Sequence, residues 1–250
     1  MEQSKQNRKS IKLIAIDMDG TLLNDRHEIS AENRKAIKEA QEKGVHIVIS
    51  TGRTSMTCKE LVDSLSLHSY LITVNGSEIW DETGKLVERQ LLGAEYIEHM
   101  WRLKQKHEVK CWAASVGDVW REEFPEDFSV HEWMKFGFEI QDDKIRQTIF
   151  DELIQNQALE ISNSSPINLE INAAGVNKAK ALEKVCKRIG IKMDQVLAMG
   201  DSLNDLAMIK ESGVGVAMGN AQQFVKDSAD WVTASNLEDG VAKAIRKWVL

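Results

Sequence analysis

Short runs of valine, isoleucine and leucine alternate with amphipathic helical patterns in both outer thirds of the sequence. This alternation constrains the fold more than any other feature. The runs are continuously apolar, which is typical of parallel strands with helices on both faces. The predicted strands are residues 11–16, 45–50, 70–74, 195–199, 214–218 and 230–233, and the predicted helices include residues 30–44, about 55–66, 177–190 and 203–213.

The middle of the chain, roughly from Trp80 to Ala174, has a different texture. Long stretches in which apolar and polar residues alternate occur at 109–124 and 158–172, with helical patterns near 93–106 and 142–156. This pattern indicates an antiparallel sheet with helices on one face. We therefore predict an α/β fold: a doubly wound, Rossmann-like parallel-sheet core of residues 1–80 and 177–250, with an α+β cap domain of residues 81–176 inserted into it.

Composition narrows the class of protein. The chain has 250 residues, 42% of them hydrophobic, and a formal net charge of −7 without a basic stripe, so we expect no nucleic-acid partner. No apolar run reaches membrane-spanning length, so we expect a cytoplasmic protein with no membrane partner. We also expect a monomer or a small homo-oligomer. Its polar start, MEQSKQNRKS, is predicted to be frayed. The three cysteines, Cys58, Cys111 and Cys186, are widely spaced, which favours buried thiols over disulfides or a metal site.

Two aspartates follow the first predicted strand, in the segment LIAIDMDGTL at residues 13–22. In an extended chain alternate residues point to one side, so Asp17 and Asp19 face one pocket and Met18 faces away. Ligands of open parallel sheets bind at the carboxyl ends of the strands. Polar segments follow three further strands at that edge, namely STGR at 50–53, NG at 75–76 and GDSLND at 200–205.

Four carboxylates are thereby expected at one rim: Asp17, Asp19, Asp201 and Asp205. Crowded carboxylates repel one another unless a cation joins them, and an all-oxygen site suits Mg²⁺. Anion-binding groups are expected nearby: the hydroxyls of Ser50 and Thr51, the backbone amides around Gly20 and Gly52, and the ammonium of Lys178. Together they indicate a phosphate site beside the metal. The alternative is that each acid is a helix cap or loop residue, as the position of Asp201 and Ser202 allows. Four such strand ends together disfavour it.

These motifs resemble the haloacid dehalogenase superfamily, and within it the Cof-like phosphatases that carry a large α/β cap. DMDGTLL, STGR, VNG, NKAKAL and GDSLNDLAMI…VGVAMGNA occur in the family's order and spacing over most of the chain. The sequence departs from the family pattern at Ala179, which follows Lys178 at a position where this branch usually has glycine. The resemblance implies a Mg²⁺-dependent phosphatase that hydrolyses a small phosphorylated metabolite, such as a sugar phosphate, a nucleotide or a cofactor-like monoester, through an aspartyl-phosphate.

The resemblance also implies roles for individual residues. Asp17 would be the nucleophile and a Mg²⁺ ligand. Asp19 would be the general acid and base, and its backbone carbonyl would also bind the metal. Asp201 would complete the metal site, with Asp205 behind it. The residues expected to hold the phosphoryl group are Met18, Thr51, Gly52, Lys178 and Asn204.

Several alternatives stay open at this point. A phosphotransferase or phosphomutase would use the same core, and a non-catalytic phospho-receiver regulator is disfavoured by the chain's length and by the insertion. Asn75 and Gly76 either contact substrate or turn the chain towards the cap. The cap tryptophans Trp101, Trp112, Trp120 and Trp133 either form an aromatic face over the pocket or pack in the cap's core. Two groups are expected to be structural or exposed: His99, His107 and His131, and the acidic loop of Glu122, Glu123, Glu126 and Asp127.

Overall fold

The computed structural model describes residues 10–121 and 123–250, which form two sheets. The starting segment at residues 1–9 and Glu122 of the acidic loop lie outside the described residues. The larger sheet has the order β13-β12-β11-β1-β2-β3-β4-β5, in which β13 to β3 are parallel and β4 and β5 are antiparallel. Its strands are β1 (Leu13–Ile16), β2 (His46–Ser50), β3 (Leu71–Thr73), β4 (Glu78–Trp80), β5 (Leu86–Arg89), β11 (Val196–Gly200), β12 (Val214–Ala217) and β13 (Trp231–Val232).

Helices cover both faces of this sheet. β1 shows why its apolar run is continuous: Ile14 and Ile16 pack into one hydrophobic cluster, and Leu13 and Ala15 pack into another on the opposite face. The doubly wound α/β core predicted from the sequence is therefore confirmed. The helices of the core are α1 (Ala31–Glu42), α2 (Ser55–Asp63), α5 (Lys178–Ile189), α6 (Leu206–Glu211), α7 (Gln223–Ser228) and α8 (Gly240–Trp248).

The smaller sheet is antiparallel, with the order β7-β6-β8-β10-β9. One of its faces is apolar and packs on the helices α3 and α4, around Phe136, Phe138 and Ile171. We call this unit the cap. Its elements are α3 (Ala94–His107), β6 (Lys110–Ser115), β7 (Asp118–Trp120), β8 (Trp133–Glu139), α4 (Asp143–Leu153), β9 (Leu159–Ser162) and β10 (Asn168–Ala173).

The start of the insertion is the point at which the structure and the sequence pattern differ. The sequence placed the cap at residues 81–176, yet β5 pairs with β4 at the edge of the larger sheet. β5 is short, reads Leu-Val-Glu-Arg and is only partly buried, so it lacks the continuous apolar run that marks the core strands. We propose that the insertion begins after β5, whereas its end before α5 stays as predicted.

Two smaller expectations concern the cysteines and the membrane. Cys58, Cys111 and Cys186 are all free and buried, as predicted, and burial raises the pKa of the Cys58 thiol to about 12. Within the described residues, no helix is long and apolar enough to cross a bilayer.

Candidate active site

The buried ammonium of Lys178 lies at the centre of the candidate site. Its Nζ donates hydrogen bonds to Oδ1 of Asp17 and Oδ1 of Asp205, each at 2.6 Å. Asp17 directly follows β1, Asp205 lies in the turn after the neighbouring strand β11, and Lys178 is the first residue of α5. Burial alone would lower the pKa of Lys178, but the two carboxylates outweigh it and raise the pKa, so the lysine stays charged.

Three carboxylates crowd around this point. Asp17, Asp201 and Asp205 each have an oxygen that lies within 4.8 Å of the others. Burial, together with repulsion from Asp205, raises the pKa of Asp17 well above its ordinary value, against the opposing effect of Lys178. Burial and Asp205 also raise the pKa of Asp201 to about 7. Burial and mutual repulsion therefore both disfavour the charged forms of these acids, even with Lys178 in place.

Both carboxylate oxygens of Asp205 accept hydrogen bonds from other groups of the chain. Its Oδ1 accepts from Lys178, and its Oδ2 accepts from the backbone amides of Asp201 and Ser202 at 2.9 and 3.1 Å. A Cβ at Gly200 would lie 2.3 Å from Cγ of Asp205, so glycine is needed for this close approach. Asp205 thus fixes both the lysine and the loop that carries Asp201.

The carboxylate of Asp19 points away from this cluster, towards Arg53. Its carboxylate accepts two hydrogen bonds from Arg53, with Nε at 2.7 Å from Oδ2 and Nη2 at 2.5 Å from Oδ1. His27 joins this pair, its Nδ1 lying 3.3 Å from Arg53 Nη2. The sequence placed Asp19 among four crowded carboxylates. In the structure the crowded group consists of Asp17, Asp201 and Asp205. The left-handed backbone of Gly20, with φ of 78°, lets the chain leave the strand sharply.

The predicted phosphate-binding residues surround Asp17 in different ways. Gly52 and Asn204 line an open cleft of about 620 Å³, and the buried side chain of Thr51 lies beside Gly52. Asn204 donates to Oδ1 of Asn75 at 3.3 Å. The side chain of Met18 lies in the hydrophobic core, as the alternation predicted, and its carbonyl accepts from the amides of the following turn. Any contact of Met18 with a phosphate would therefore involve its backbone.

The cleft also has a cap side, which the sequence analysis did not assign. Lys135 of β8 donates to the carbonyl of Gly52 at 2.7 Å and lies 3.4 Å from Glu170 of β10. Glu170 in turn accepts from Nδ2 of Asn75 at 2.6 Å. Burial would raise the pKa of Glu170, but Lys135 and its hydrogen bonds outweigh this and lower it. Charged residues inside otherwise apolar strands were the sequence signal for this pair.

Asn75 therefore ties the core to the cap. Its backbone is left-handed, with φ of 59°, and its amide lies between Glu170 of the cap and Asn204 of the core. Of the two alternatives left open for this motif, the described contacts favour the connection to the cap.

The four cap tryptophans divide between the two alternatives. Trp101, Trp120 and Trp133 pack with Phe124 and Phe128 in the aromatic cluster of the cap's core. Trp112 lies on the opposite face of the sheet and lines the cleft. Among the histidines, His99 lies 3.4 Å from Glu152, and the His131 ring meets the Trp120 ring edge-on.

Comparison with known proteins decides the family. Residues 14–150 and 122–245 match a family model described as haloacid dehalogenase-like hydrolase. The chain belongs to the haloacid dehalogenase-like hydrolases. It shares 64% identity over 240 residues with the 5-amino-6-(5-phospho-D-ribitylamino)uracil phosphatase YcsE of Bacillus subtilis, and the match covers 96% of each chain. It is 30% identical over 285 residues to the phosphatase YwpJ of the same organism, covering 94% of this chain and 99% of that one.

Solved structures of this family have the same architecture. A haloacid dehalogenase-like hydrolase from B. subtilis superposes with a TM-score of 0.87 at 26% identity, covering 96% of this chain and 100% of the other. The subclass IIB sugar phosphatase BT4131 superposes with a TM-score of 0.83 at 26% identity, covering 94% and 98%. The family and these relatives establish the chain as a phosphatase and exclude the phospho-receiver alternative.

Proposed function

We propose that this hydrolase cleaves a phosphate monoester in two steps, through an aspartyl-phosphate on Asp17, and that it depends on Mg²⁺. The observation that carries the proposal is the pair of hydrogen bonds from Lys178 to Asp17 and Asp205. They occupy Oδ1 of Asp17, while Oδ2 of Asp17 has no hydrogen-bond partner in the described part of the chain. One carboxylate oxygen is thus held in place and the other is free to attack.

The donor set fits a divalent cation. Asp17 and Asp201 offer oxygens within one small cluster, and the carbonyl of Asp19 would add a third ligand. Burial and the repulsion from Asp205 raise the pKa of both aspartates, and a bound cation would oppose this effect. A Cβ at Gly20 would lie 2.6 Å from Oδ2 of Asp201, so the glycine keeps this corner open. When bound, Mg²⁺ would neutralise negative charge on the transferring phosphoryl group.

The remaining groups would act on the phosphoryl oxygens and on the leaving group. Lys178, Thr51, Asn204 and the amides near Gly52 would bind the phosphoryl oxygens as their charge changes in the transition state. Asp19 would give a proton to the departing alkoxide and take one from the water that hydrolyses the aspartyl-phosphate. Its carboxylate lines the cleft beside Arg53, on the side from which a leaving group would depart.

The size and lining of the cleft support a small substrate. A space of about 620 Å³ with both polar and apolar walls suits a phosphorylated metabolite. Because the 64% identical relative is named for 5-amino-6-(5-phospho-D-ribitylamino)uracil, we propose that ester, or one of the same class, as the substrate. This class joins a phosphate to a polyol that carries a flat heterocycle.

A phosphate-release assay with a panel of esters tests the proposal. The panel contains the ribitylaminouracil phosphate, sugar phosphates and nucleoside monophosphates, each assayed with Mg²⁺ and with excess chelator. We expect repeated turnover of the ribitylaminouracil ester in Mg²⁺ only, and none with Asp17→Asn. Full turnover in chelator would contradict the metal assignment, and failure to hydrolyse that ester while others are cleaved would contradict the substrate class.

A further inference from the structure

Trp112 is the cap tryptophan whose indole lies against the active-site cleft. It stands on β6 directly opposite Gly137 of β8, and Gly137 stands opposite Glu170 of β10. A Cβ on Gly137 would lie 2.2 Å from Cε2 and Cζ2 of Trp112, so the indole covers the glycine and occupies the space a side chain would fill. The ring therefore lies across the face of the cap sheet that closes the cleft.

The surroundings of the indole are those of a ligand site. Ala114 and Val119 provide apolar surface beside it, and Arg121 lines the same cleft. Within the described residues, Nε1 of Trp112 donates no hydrogen bond, whereas the indoles of Trp120 and Trp133 both do. A partly exposed indole with a free N–H can stack on a flat ring, and its N–H, which lies in the indole plane, can donate to a polar group beside that ring.

The spacing along the cap sheet relates this ring to the phosphate end of the cleft. Glu170 marks that end, because a Cβ on Gly52 would lie 3.6 Å from its Oε2. The backbone of Trp112 lies two strands away from Glu170, about 10 Å at the usual spacing of paired strands. Its indole reaches back over Gly137, so the ring lies closer to Glu170 than that. A chain that runs from the phosphorus through an extended five-carbon polyol to the ring nitrogen is long enough to cover this distance. A phosphate held at Gly52 would thus place a ring at the far end of such a chain next to Trp112.

We propose that Trp112 is the stacking platform for the flat heterocycle of the leaving group, with the polyol lying between the indole and Glu170. The Arg121 guanidinium lines the same cleft and would donate to the carbonyl oxygens of a uracil-type ring. This inference rests on the proposed function, since it assigns a position to the leaving group of that same ester. Trp112 is then a specificity-determining residue that contributes little to esters lacking a ring.

The test compares two esters on each variant: the ribitylaminouracil phosphate and ribitol 5-phosphate, which has the same phosphate and polyol but no ring. We expect Trp112→Leu to lower kcat/KM for the ringed ester roughly tenfold, the size of an aromatic stacking contribution, and to lower kcat/KM for ribitol 5-phosphate much less. Trp112→Phe keeps a stacking face and should stay within about threefold of wild type. Trp101→Leu, on the opposite face of the cap, should leave the ratio between the two esters unchanged.

Three results would overturn the inference. If Trp112→Leu slows both esters equally, the indole only fills the space over Gly137. If the wild type hydrolyses both esters equally well, no ring site exists, although the phosphatase assignment stands. If Trp112→Phe loses the preference as fully as Trp112→Leu, stacking is not what the indole provides. Failure of the wild type to hydrolyse either ester, while other phosphate esters are cleaved, would instead contradict the proposed substrate class.

Discussion

Arg53 holds the carboxylate of Asp19 with two hydrogen bonds, from Nε at 2.7 Å and from Nη2 at 2.5 Å. The backbone of Asp19 lies at the end of β1, near Asp17, but its side chain turns towards the mouth of the cleft. A carboxylate in that position is separated from the crowded acids around Lys178. We propose that it exchanges a proton with a leaving group that departs through the cleft.

Asp19→Asn should affect esters according to the basicity of their leaving groups. An aryl ester such as p-nitrophenyl phosphate releases a weakly basic phenolate, whereas a sugar phosphate must release an alkoxide that needs a proton. We expect the first chemical step to slow by roughly 10²–10⁴-fold for the alkyl ester and only mildly for the aryl ester. Rapid-mixing measurement of that step is the check, with Asp25→Asn as the matched control in the same loop. An equal loss for both esters would mean that Asp19 positions groups and donates no proton.

Mg²⁺ should stabilise the folded chain because it joins carboxylates that otherwise repel one another. At a concentration of about 100 times its Kd, a ligand of the native state adds about 2.7 kcal/mol, which corresponds to a rise in Tm of roughly 5–10 °C for a chain of this size. Thermal unfolding of chelator-treated protein with and without Mg²⁺ measures it. Asp201→Asn should reduce the rise, and an undiminished rise in that variant would place the ion elsewhere.

The metal-free protein should lose stability as the pH increases towards neutrality. The pKa of Asp201 is raised from an ordinary 3.8 to about 7 by burial and by Asp205, and that of Asp17 shifts in the same direction. A carboxyl group whose pKa is raised on folding stabilises the fold fully below the unfolded pKa, and this contribution is lost as the pH rises through the folded pKa. Tm in chelator should therefore fall between about pH 4 and pH 7, and Asp201→Asn should fall less. A Tm that rises over this range would contradict the assignment.

Lys178→Met should impair both catalysis and folding. The rate should drop on the order of 10² or more, because the positive charge beside the transferring group is lost. Asp17 and Asp205 would also remain buried without their cation, which costs about 3 kcal/mol or more in the free energy of unfolding. Steady-state turnover and urea unfolding measure the two effects. Lys180→Met, at an exposed position of the same helix, should change neither quantity, and near-normal turnover in Lys178→Met would remove the lysine from the mechanism.

The core of the site could be predicted from the sequence because it depends on local geometry. Alternate residues of a strand share a face, so Asp17 and Asp19 could be assigned to the edge of the sheet from their spacing alone. The carboxyl ends of parallel strands meet there, which brought Asp201 and Asp205 to the same place. The assignment of Lys178 to the phosphate site followed from the resemblance. The structure adds that its Nζ is buried and lies at hydrogen-bond distance from Asp17 and Asp205.

The cap side of the site could not be predicted in the same way. Lys135 and Glu170 meet because β8 pairs with β10, and the register of strands so distant in sequence is not encoded in either segment alone. The contact of Arg53 with Asp19 likewise depends on where the turn after β2 lies relative to the turn after β1. β5 was assigned to the cap because its sequence, Leu-Val-Glu-Arg, lacks the continuous apolar run of the parallel core strands.

The central claim is that Asp17 becomes phosphorylated during turnover, and acid-quench mass spectrometry measures this directly. In Asp19→Asn the second step should be slow, so an aryl ester should leave one phosphoryl group per chain, mapped to the peptide that contains Asp17. Asp17→Asn, mixed with the same ester, should carry none. Rapid release of the phenol without any phosphorylated chain, or a phosphoryl group mapped to another residue, would contradict the account.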